Sequence, residues 1–248
     1  MKKRIFPITT FILLTSTLLG PKAVLAADYD GPTKAVSEGT ITILENDEPD
    51  DVIPDPDNPD NPIIPDPDNP INPNPGLLRI NYVSDFNFGR QLNMSTATAI
   101  NADMDTLFDS NTGEEMKRVP FISTEDRRGT ERLGWELRVS QSRPFQDNDG
   151  NELEGARLTI NNLRYPNMMN APTITPGNIV INEEEKPIAF ADEKQGSGSW
   201  SLALGNPTDE GTTDGVLLEI PANTVKNNTT YSSSLVWELV ADPTNVSE

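Results

Sequence analysis

The tryptophan residues are the first candidates for chemistry, because two of the three lie in the same triplet, Trp-Glu-Leu, at residues 135–137 and 237–239. A tryptophan ring exposed on a strand can stack on a sugar, whereas a ring among apolar neighbours packs in a core. The repeated triplet therefore indicates either a duplicated carbohydrate platform or a packing motif that recurs in two strands.

Several kinds of catalytic site are excluded by residue type. The chain has no histidine and no cysteine, which removes triads with a histidine base, cysteine nucleophiles and zinc sites built on these residues. Paired carboxylates that hydrolyse glycosides remain compatible with the composition. The acidic residues, however, lie in turns, in a proline-rich segment or at alternate strand positions, where exposure to water explains them. We therefore expect a protein that is not an enzyme and has no cofactor.

One acidic loop resembles the start of a calcium-binding loop. Asp147, Asp149 and Asn151 alternate, as the first three ligands of an EF-hand loop do. The sixth position of that loop would then be Glu152 instead of glycine, and the twelfth would be Leu158 instead of glutamate. The sequence therefore predicts a turn in which Asp149 and Gly150 adopt positive φ, and no metal site.

Residues 1–26 have the pattern of a secretory signal peptide, with a basic start, an apolar run and small residues at the end. The apolar run is too short to be a membrane span. Four of the 19 basic residues and none of the 39 acidic residues precede Asp28, so the chain from Asp28 onward carries a net charge of −24. Such a chain is not expected to bind nucleic acid or an anionic membrane.

Residues 27–76 divide into a lead, 27–44, and a spacer, 45–76. In the stretch GTITILEN at 39–46, Ile41 and Ile43 alternate with threonines, which predicts a strand. Pro, Asp and Asn dominate the spacer, where IPDPDNP occurs at 53–59 and again at 64–70. Proline fixes φ and removes a backbone donor, so an extended, solvated spacer is expected. A calcium-binding repeat is the alternative, but proline-rich spacers behave this way without any ligand.

Short strand-like runs separated by Gly, Pro, Asn and Asp begin at Leu77 and continue to the end of the chain. No segment shows a sustained apolar repeat of 3.6 residues. This pattern predicts an all-β domain over residues 77–248, an antiparallel β-sandwich of about nine to eleven short strands.

Alternation along a strand indicates which residues share a face with each tryptophan. Two apolar rows result: Leu133, Trp135, Leu137 and Val139, and Leu235, Trp237, Leu239 and Ala241. A tryptophan between leucines favours burial, so Trp135, Leu137, Trp237 and Leu239 are interpreted as core residues, with ligand contact as the alternative. The more exposed aromatic candidates for ligand contact are Tyr82, Tyr165 and Tyr231.

The spacing Tyr231-x3-Leu235-x-Trp237-x-Leu239-x3-Pro243, together with the earlier Trp135-Glu136-Leu137, resembles the motifs of the WxL-domain surface proteins of Gram-positive bacteria. The resemblance extends to the signal peptide, the GTITIL stretch, the Asp/Pro-rich segment and LRINYVSDFNFG at 78–89. It covers essentially the whole chain after the signal peptide. One triplet is weakly specific, whereas two copies in this order and context are specific.

The resemblance implies a secreted module that attaches non-covalently to the cell wall, with peptidoglycan as its ligand, and that displays or assembles a surface complex. It also implies other WxL-type or anchored surface proteins as partners, and host matrix proteins for some members. The alternative is a protein-interaction subunit or host-matrix adhesin whose association with the wall is indirect. In that case the lead strand at 39–45 could add to a sheet edge of its own domain or of a neighbour's.

Overall fold

A computed structural model describes residues 28–29 and 31–243, so the predicted signal peptide lies outside the described residues. The described residues form 17 strands and one short 3-10 helix, Gly129–Glu131. The strands are β1 (Asp28–Tyr29), β2 (Ala35–Val36), β3 (Ile63–Pro65), β4 (Leu78–Val83), β5 (Thr98–Asp103), β6 (Asp105–Asp109), β7 (Glu115–Arg118), β8 (Phe121–Asp126), β9 (Trp135–Gln146), β10 (Arg157–Ile160), β11 (Leu163–Arg164), β12 (Thr173–Ile174), β13 (Ile179–Ile181), β14 (Lys186–Ala191), β15 (Gly198–Leu204), β16 (Thr212–Ile220) and β17 (Ser232–Ala241).

The chain divides into two units between residues 45 and 46. In the first unit, β1 and β2 form an antiparallel pair, and residues 37–45 form no strand. The strand predicted at 39–45 is therefore wrong, and Ile41 and Ile43 are 86% and 85% exposed. A short amphipathic row that has no sheet to pack on buries too little surface to hold strand geometry.

Residues 46–243, the described part of the second unit, form four small antiparallel sheets. Their strand orders are β13-β10-β16-β5 (sheet 1), β11-β15-β8-β4 (sheet 2), β12-β14-β9-β17 (sheet 3) and β3-β6-β7 (sheet 4). The prediction of an all-β, antiparallel domain is confirmed. The strands are more numerous than predicted because turns divide some of the runs. For example, the run 173–181 becomes β12 and β13 around Gly177, whose φ is +88°.

One hydrophobic core connects the three four-stranded sheets. Ile160 of sheet 1, Leu202 of sheet 2 and Leu137 of sheet 3 are each 0% exposed and belong to the same buried cluster. A sandwich core forms between the inner faces of two sheets, whereas the apolar faces of three sheets contribute to this one. The arrangement thus differs from the predicted two-layer sandwich.

The Pro/Asp/Asn-rich segment is not the solvated spacer that its composition predicted. Ile53 and Ile63 are 1% and 0% exposed, and they pack in a second buried cluster with Tyr82 and Phe121. The backbones of Ile53 and Ile63 also exchange two hydrogen bonds, of 3.0 and 2.9 Å. These two isoleucines, each next to a proline, thus bury enough apolar surface to hold the segment on the domain.

An ion pair fixes the first of the two IPDPDNP repeats. The carboxylate of Asp55, which is 0% exposed, accepts two hydrogen bonds from the guanidinium of Arg118, at 2.6 and 2.8 Å. The corresponding residue of the second repeat, Asp66, is only half-buried and accepts a hydrogen bond from the N–H of Asp68 in its own turn. Identical heptapeptides therefore occupy different environments.

Candidate functional site

The two Trp-Glu-Leu triplets lie side by side in sheet 3. β9 is a central strand of this sheet and β17 is its edge strand. The antiparallel register places Leu137 opposite Leu239 and Trp237 opposite Val139. Because residues directly opposite each other in an antiparallel pair point to the same face, both apolar rows face the same core.

The first triplet belongs to the centre of the core. Trp135 and Leu137 are 1% and 0% exposed. The indole N–H of Trp135 donates a hydrogen bond to the carbonyl of Gly196 at 3.2 Å, which satisfies the one polar group of a buried tryptophan. The row predicted around Trp135 does not include Leu133, which precedes β9 and is 68% exposed.

The second triplet lies at the margin of the same core. Trp237 and Leu239 are half-buried and pack against its edge. The ring of Trp237 meets that of Phe86 edge to face, with 6.3 Å between the ring centroids. The two copies of the motif therefore differ in burial, and only the second has tryptophan surface within reach of a ligand.

A groove of about 1450 Å³ opens beside Trp237. It lies between two free sheet edges, β17 of sheet 3 and β5 of sheet 1, and the segment 84–93 forms one of its walls. We call it the edge groove. Its aromatic and aliphatic lining includes Phe86, Phe88, Ile100, Phe145, Tyr231 and Trp237, and its polar lining includes Asn87, Asn93, Asn227, Asn228, Ser232 and Ser234.

The apolar lining of the edge groove is built from pairs of rings and aliphatic side chains. Phe88 and Phe145 meet edge to face, with centroids 6.1 Å apart. Both rings pack against a small buried cluster that contains Leu218 and Ile220. The groove thus combines an apolar lining with amide and hydroxyl groups, a combination typical of sites that bind small polar molecules or extended chains.

The loop that resembled a calcium site supports the groove instead. Gly150 has a φ of +84°, so the predicted turn is confirmed there, but Asp149 does not adopt the positive φ that was predicted for it. The carboxylate of Asp147 accepts hydrogen bonds from Asn227 Nδ2 and from the N–H of Asn151, at 2.9 and 2.8 Å. These hydrogen bonds, that of Asn227 first, lower the pKa of Asp147 to about 2. Asp147 thereby ties the groove residue Asn227 to the turn.

The three tyrosines proposed as exposed candidates lie in different environments. Tyr82 is 2% exposed, so its expected exposure is wrong; its hydroxyl donates to Asp105 Oδ2 at 2.6 Å. Burial, and then this hydrogen bond, raise the pKa of Tyr82. Tyr165 packs edge to face on Trp200 at 6.0 Å, and burial raises the pKa of Tyr165. Tyr231 alone of the three lines the edge groove.

The glutamates of the two triplets lie on the opposite face of sheet 3 from the tryptophans. Glu136 accepts a hydrogen bond from Arg138 at 2.5 Å, and Arg138 lies opposite Glu238 on the neighbouring strand. Arg138 thus pairs with Glu136 within its own strand and faces Glu238 across the sheet with the opposite charge. Among residues 28–29 and 31–243, no three acidic side chains are grouped so that they could hold a metal ion.

Sequence reasoning missed Phe86, Phe88 and Phe145 as lining residues. The alternation of Phe86 and Phe88 in SDFNFGR was a visible signal, but it predicted only strand character. Phe145 gave no signal, because its place in the groove depends on how sheets 1 and 3 pack together. Of the motif residues predicted from sequence, the structure brings Trp237 and Tyr231 to the groove, and it leaves Trp135, Leu137 and Tyr82 in buried clusters.

Comparison with known proteins identifies the family. Within the described part of the chain, no helix is both long and apolar enough to cross a membrane. A search of curated proteins and a search of solved structures each give no match. A family model described as WxL domain surface cell wall-binding matches residues 31–243. That range contains both triplets and the edge groove, and the chain belongs to the WxL family of surface cell wall-binding domains.

Proposed function

We propose that this protein is a secreted, non-catalytic module that attaches to the cell wall by binding peptidoglycan and that displays or assembles a surface complex. The observation that carries this proposal is membership of a surface cell wall-binding family over residues 31–243. The ligand, its location and the assembly role are the parts that the proposal adds.

The edge groove is the proposed contact site for peptidoglycan. The partly exposed rings of Trp237, Phe86 and Tyr231 offer faces on which the apolar side of a sugar can stack. Amide groups of Asn87 and Asn228 offer donors and acceptors for hydroxyl and acetamido groups. The net charge of −24 from Asp28 onward opposes binding to acidic wall polymers by charge alone. The chemistry of the groove therefore fits an uncharged glycan better than a polyanion.

Sedimentation with purified, protein-free Gram-positive walls tests this proposal directly. The unmodified chain is expected to sediment with the walls, and Trp237→Ala is expected to weaken binding about tenfold. Val236→Ala is the matched control, because Val236 is the neighbouring residue on the same strand, is 48% exposed and faces the other way. Failure of the unmodified chain to sediment would contradict peptidoglycan binding.

A second experiment separates the glycan from other wall components. Soluble peptidoglycan fragments released by a muramidase are added to the wall-bound protein, and an equal mass of teichoic acid is added in parallel. The fragments are expected to release the protein, and teichoic acid is not. Release by teichoic acid alone would identify a polyanion as the ligand and contradict binding to peptidoglycan.

A protein-interaction role is the second candidate, and exposed apolar residues at one rim of the groove favour it. Leu92 and Val225 are 84% and 86% exposed. Asn93 Nδ2 donates to the carbonyl of Lys226 at 3.1 Å, which holds the two segments that carry Leu92 and Val225 together. Exposed apolar residues on two segments that are held together favour protein contact. If walls bind the chain only after a surface protein is added, or if immobilised host matrix proteins capture it more tightly than walls do, this candidate replaces the first.

A further inference from the structure

The segment 39–45 has the sequence of a strand, but no strand among residues 28–29 and 31–243 pairs with it. Ile41 and Ile43 alternate with Thr40 and Thr42, and the two isoleucines are 86% and 85% exposed. Residues 37–45 are assigned to no strand. A β-prone, exposed apolar segment of this kind is a template for pairing with a sheet edge.

The second unit presents an edge that lacks such a strand. β17 pairs with β9 on one side, and the described residues contribute no strand on its other side. The beginning of β17, from Ser232 to Trp237, lines the edge groove. The unpaired N–H and C=O groups of an edge strand bind an extended peptide, and neighbouring pockets accept its alternate side chains.

We propose that segment 39–45 of a second copy of this chain adds to the free edge of β17 as an antiparallel strand. Ile41 and Ile43 then point into the edge groove, on the side of Leu235 and Trp237, where Phe88 and Phe145 provide apolar surface. In this register Thr42 lies opposite Ser234, and Thr40 lies opposite Val236. Seven residues of strand extend over about 23 Å, which is shorter than the ten residues of β17.

The connection to the domain shows why the donor is a second copy and not the same chain. The N–H of Gly76 donates to the carbonyl of Asp47 at 2.8 Å, so the chain enters the second unit just before β4. The groove begins at Val83, the other end of β4, about 20 Å away at 3.3 Å per residue. Residue 45 of the same chain is only two residues from this entry point at Asp47. In the same chain, therefore, only the first residues of segment 39–45 can extend as far as the groove.

Direction along β17 gives the same result. β17 begins at the groove and ends near Asp242, which binds Arg128 at 2.8 Å. A segment of the same chain that stretched back from Asn46 to the groove would run parallel to β17. Every pair in sheet 3 is antiparallel, and antiparallel pairs are slightly more stable per residue. A second copy is free to enter antiparallel.

This contact joins different surfaces on the two copies, so repetition yields a closed ring or an open chain. In an open chain the terminal copy keeps an empty groove, with which it can contact the wall. The inference rests on the assembly part of the proposed function and not on peptidoglycan binding. Because every copy is strongly acidic, salt that screens the repulsion strengthens the association, whereas salt weakens contacts between opposite charges.

Disulfide trapping tests the pairing, since the chain contains no cysteine. A Thr42→Cys copy is mixed with a mass-tagged Ser234→Cys copy and treated with a mild oxidant. The yield of mixed dimers from this pair is expected to be at least tenfold higher than the yield from Thr42→Cys mixed with Val180→Cys. Val180 is the control because it is 40% exposed on β13, an edge strand of sheet 1. Equal yields would overturn the proposal.

The same method tests direction and chain identity. Antiparallel addition predicts that Thr40→Cys prefers Val236→Cys and that Leu44→Cys prefers Ser232→Cys. The reverse preference overturns the antiparallel arrangement. A single chain that carries both Thr42→Cys and Ser234→Cys is expected to form dimers and larger species. If it forms an internal disulfide and remains a monomer, the donor is the same chain and the proposal is wrong.

A donor variant separates this inference from wall binding. Ile41→Lys/Ile43→Lys is expected to remain monomeric in sedimentation velocity, at concentrations where the unmodified chain associates, and still to bind walls. A synthetic peptide of residues 39–45 is expected to bind this variant, and the peptide with both lysines is not. Unchanged association of the variant would overturn the inference. Association without any wall binding by the unmodified chain would support the inference and contradict the proposed peptidoglycan function.

Discussion

The two Trp-Glu-Leu triplets share their sequence and their sheet but differ in burial. Trp135 is 1% exposed in the central strand β9, whereas Trp237 is half-buried in the edge strand β17. A central strand has neighbours on both sides, and an edge strand has one. The position of the strand in the sheet, and not the motif itself, therefore decides how much tryptophan surface remains available to a ligand.

This difference indicates separate roles for the two copies. The first triplet lies in the core that three sheets share. The indole N–H of its tryptophan donates a hydrogen bond to the carbonyl of Gly196 inside the protein. The second triplet completes the margin of that core and forms part of the edge groove. Because Leu137 lies opposite Leu239, the stable first copy supports the strand that presents the second.

The largest effect is expected for Trp135→Ala. Removing a fully buried tryptophan leaves a cavity where three sheets meet, which lowers the free energy of unfolding by about 3–5 kcal/mol. Urea denaturation followed by circular dichroism measures this loss, and Trp135→Phe serves as the milder control. A loss as small as that expected below for Trp237→Ala would contradict the central role of the first triplet.

A smaller effect is expected for Gly196→Ala. Gly196 has a φ of +64°, and a Cβ there would lie 2.6 Å from Ala191 Cβ and 2.9 Å from Trp135 Nε1. Strain and crowding together are expected to cost about 2–3 kcal/mol of stability. Gly150→Ala is the control, since Gly150 has a φ of +84° and open space around its Cβ position. Equal losses for the two variants would show that contact with Trp135 contributes nothing.

For Trp237→Ala, the expected loss of stability is only about 1–2 kcal/mol, because a half-buried ring loses less apolar contact than a buried one. Thermal unfolding and wall sedimentation are measured on the same preparation. Trp237→Ala is expected to stay folded and to bind walls more weakly. Trp135→Ala is expected to reduce binding only in proportion to its unfolded fraction. If Trp237→Ala unfolds the domain as Trp135→Ala does, the two copies are equivalent core residues.

The smallest effect depends on pH and concerns the loop beside the second triplet. The pKa of Asp147 is lowered to about 2 by its hydrogen bonds to Asn227 and Asn151, below the unfolded value near 3.9. Its stabilising contribution is therefore present above about pH 4 and is lost as the pH falls towards 2. Asp147→Asn is expected to lower the melting temperature at pH 6, and the difference from the unmodified chain is expected to shrink by pH 2.5. A constant difference would contradict the role of the carboxylate charge.

Local sequence pattern predicted part of the fold because strand alternation has a period of two residues. It identified short strands, the turn at Asp149-Gly150 and the inward direction of Trp135 and Trp237. It failed at residues 45–76, where composition predicted a solvated spacer. Only long-range contacts, such as Asp55 with Arg118 and Ile53 with Ile63, reveal that this segment docks on the domain.

The sequence alone determined the WxL family, the all-β class and the side of each strand that bears its tryptophan. These properties follow from motif identity and from local periodicity, which are both features of the amino-acid sequence itself. The tertiary structure decided that Trp135 is central and Trp237 marginal, that Tyr82 is buried, and that a groove lies along the free edge of β17. These properties depend on which strands pair across the chain, and identical triplets contain no information about their place in a sheet.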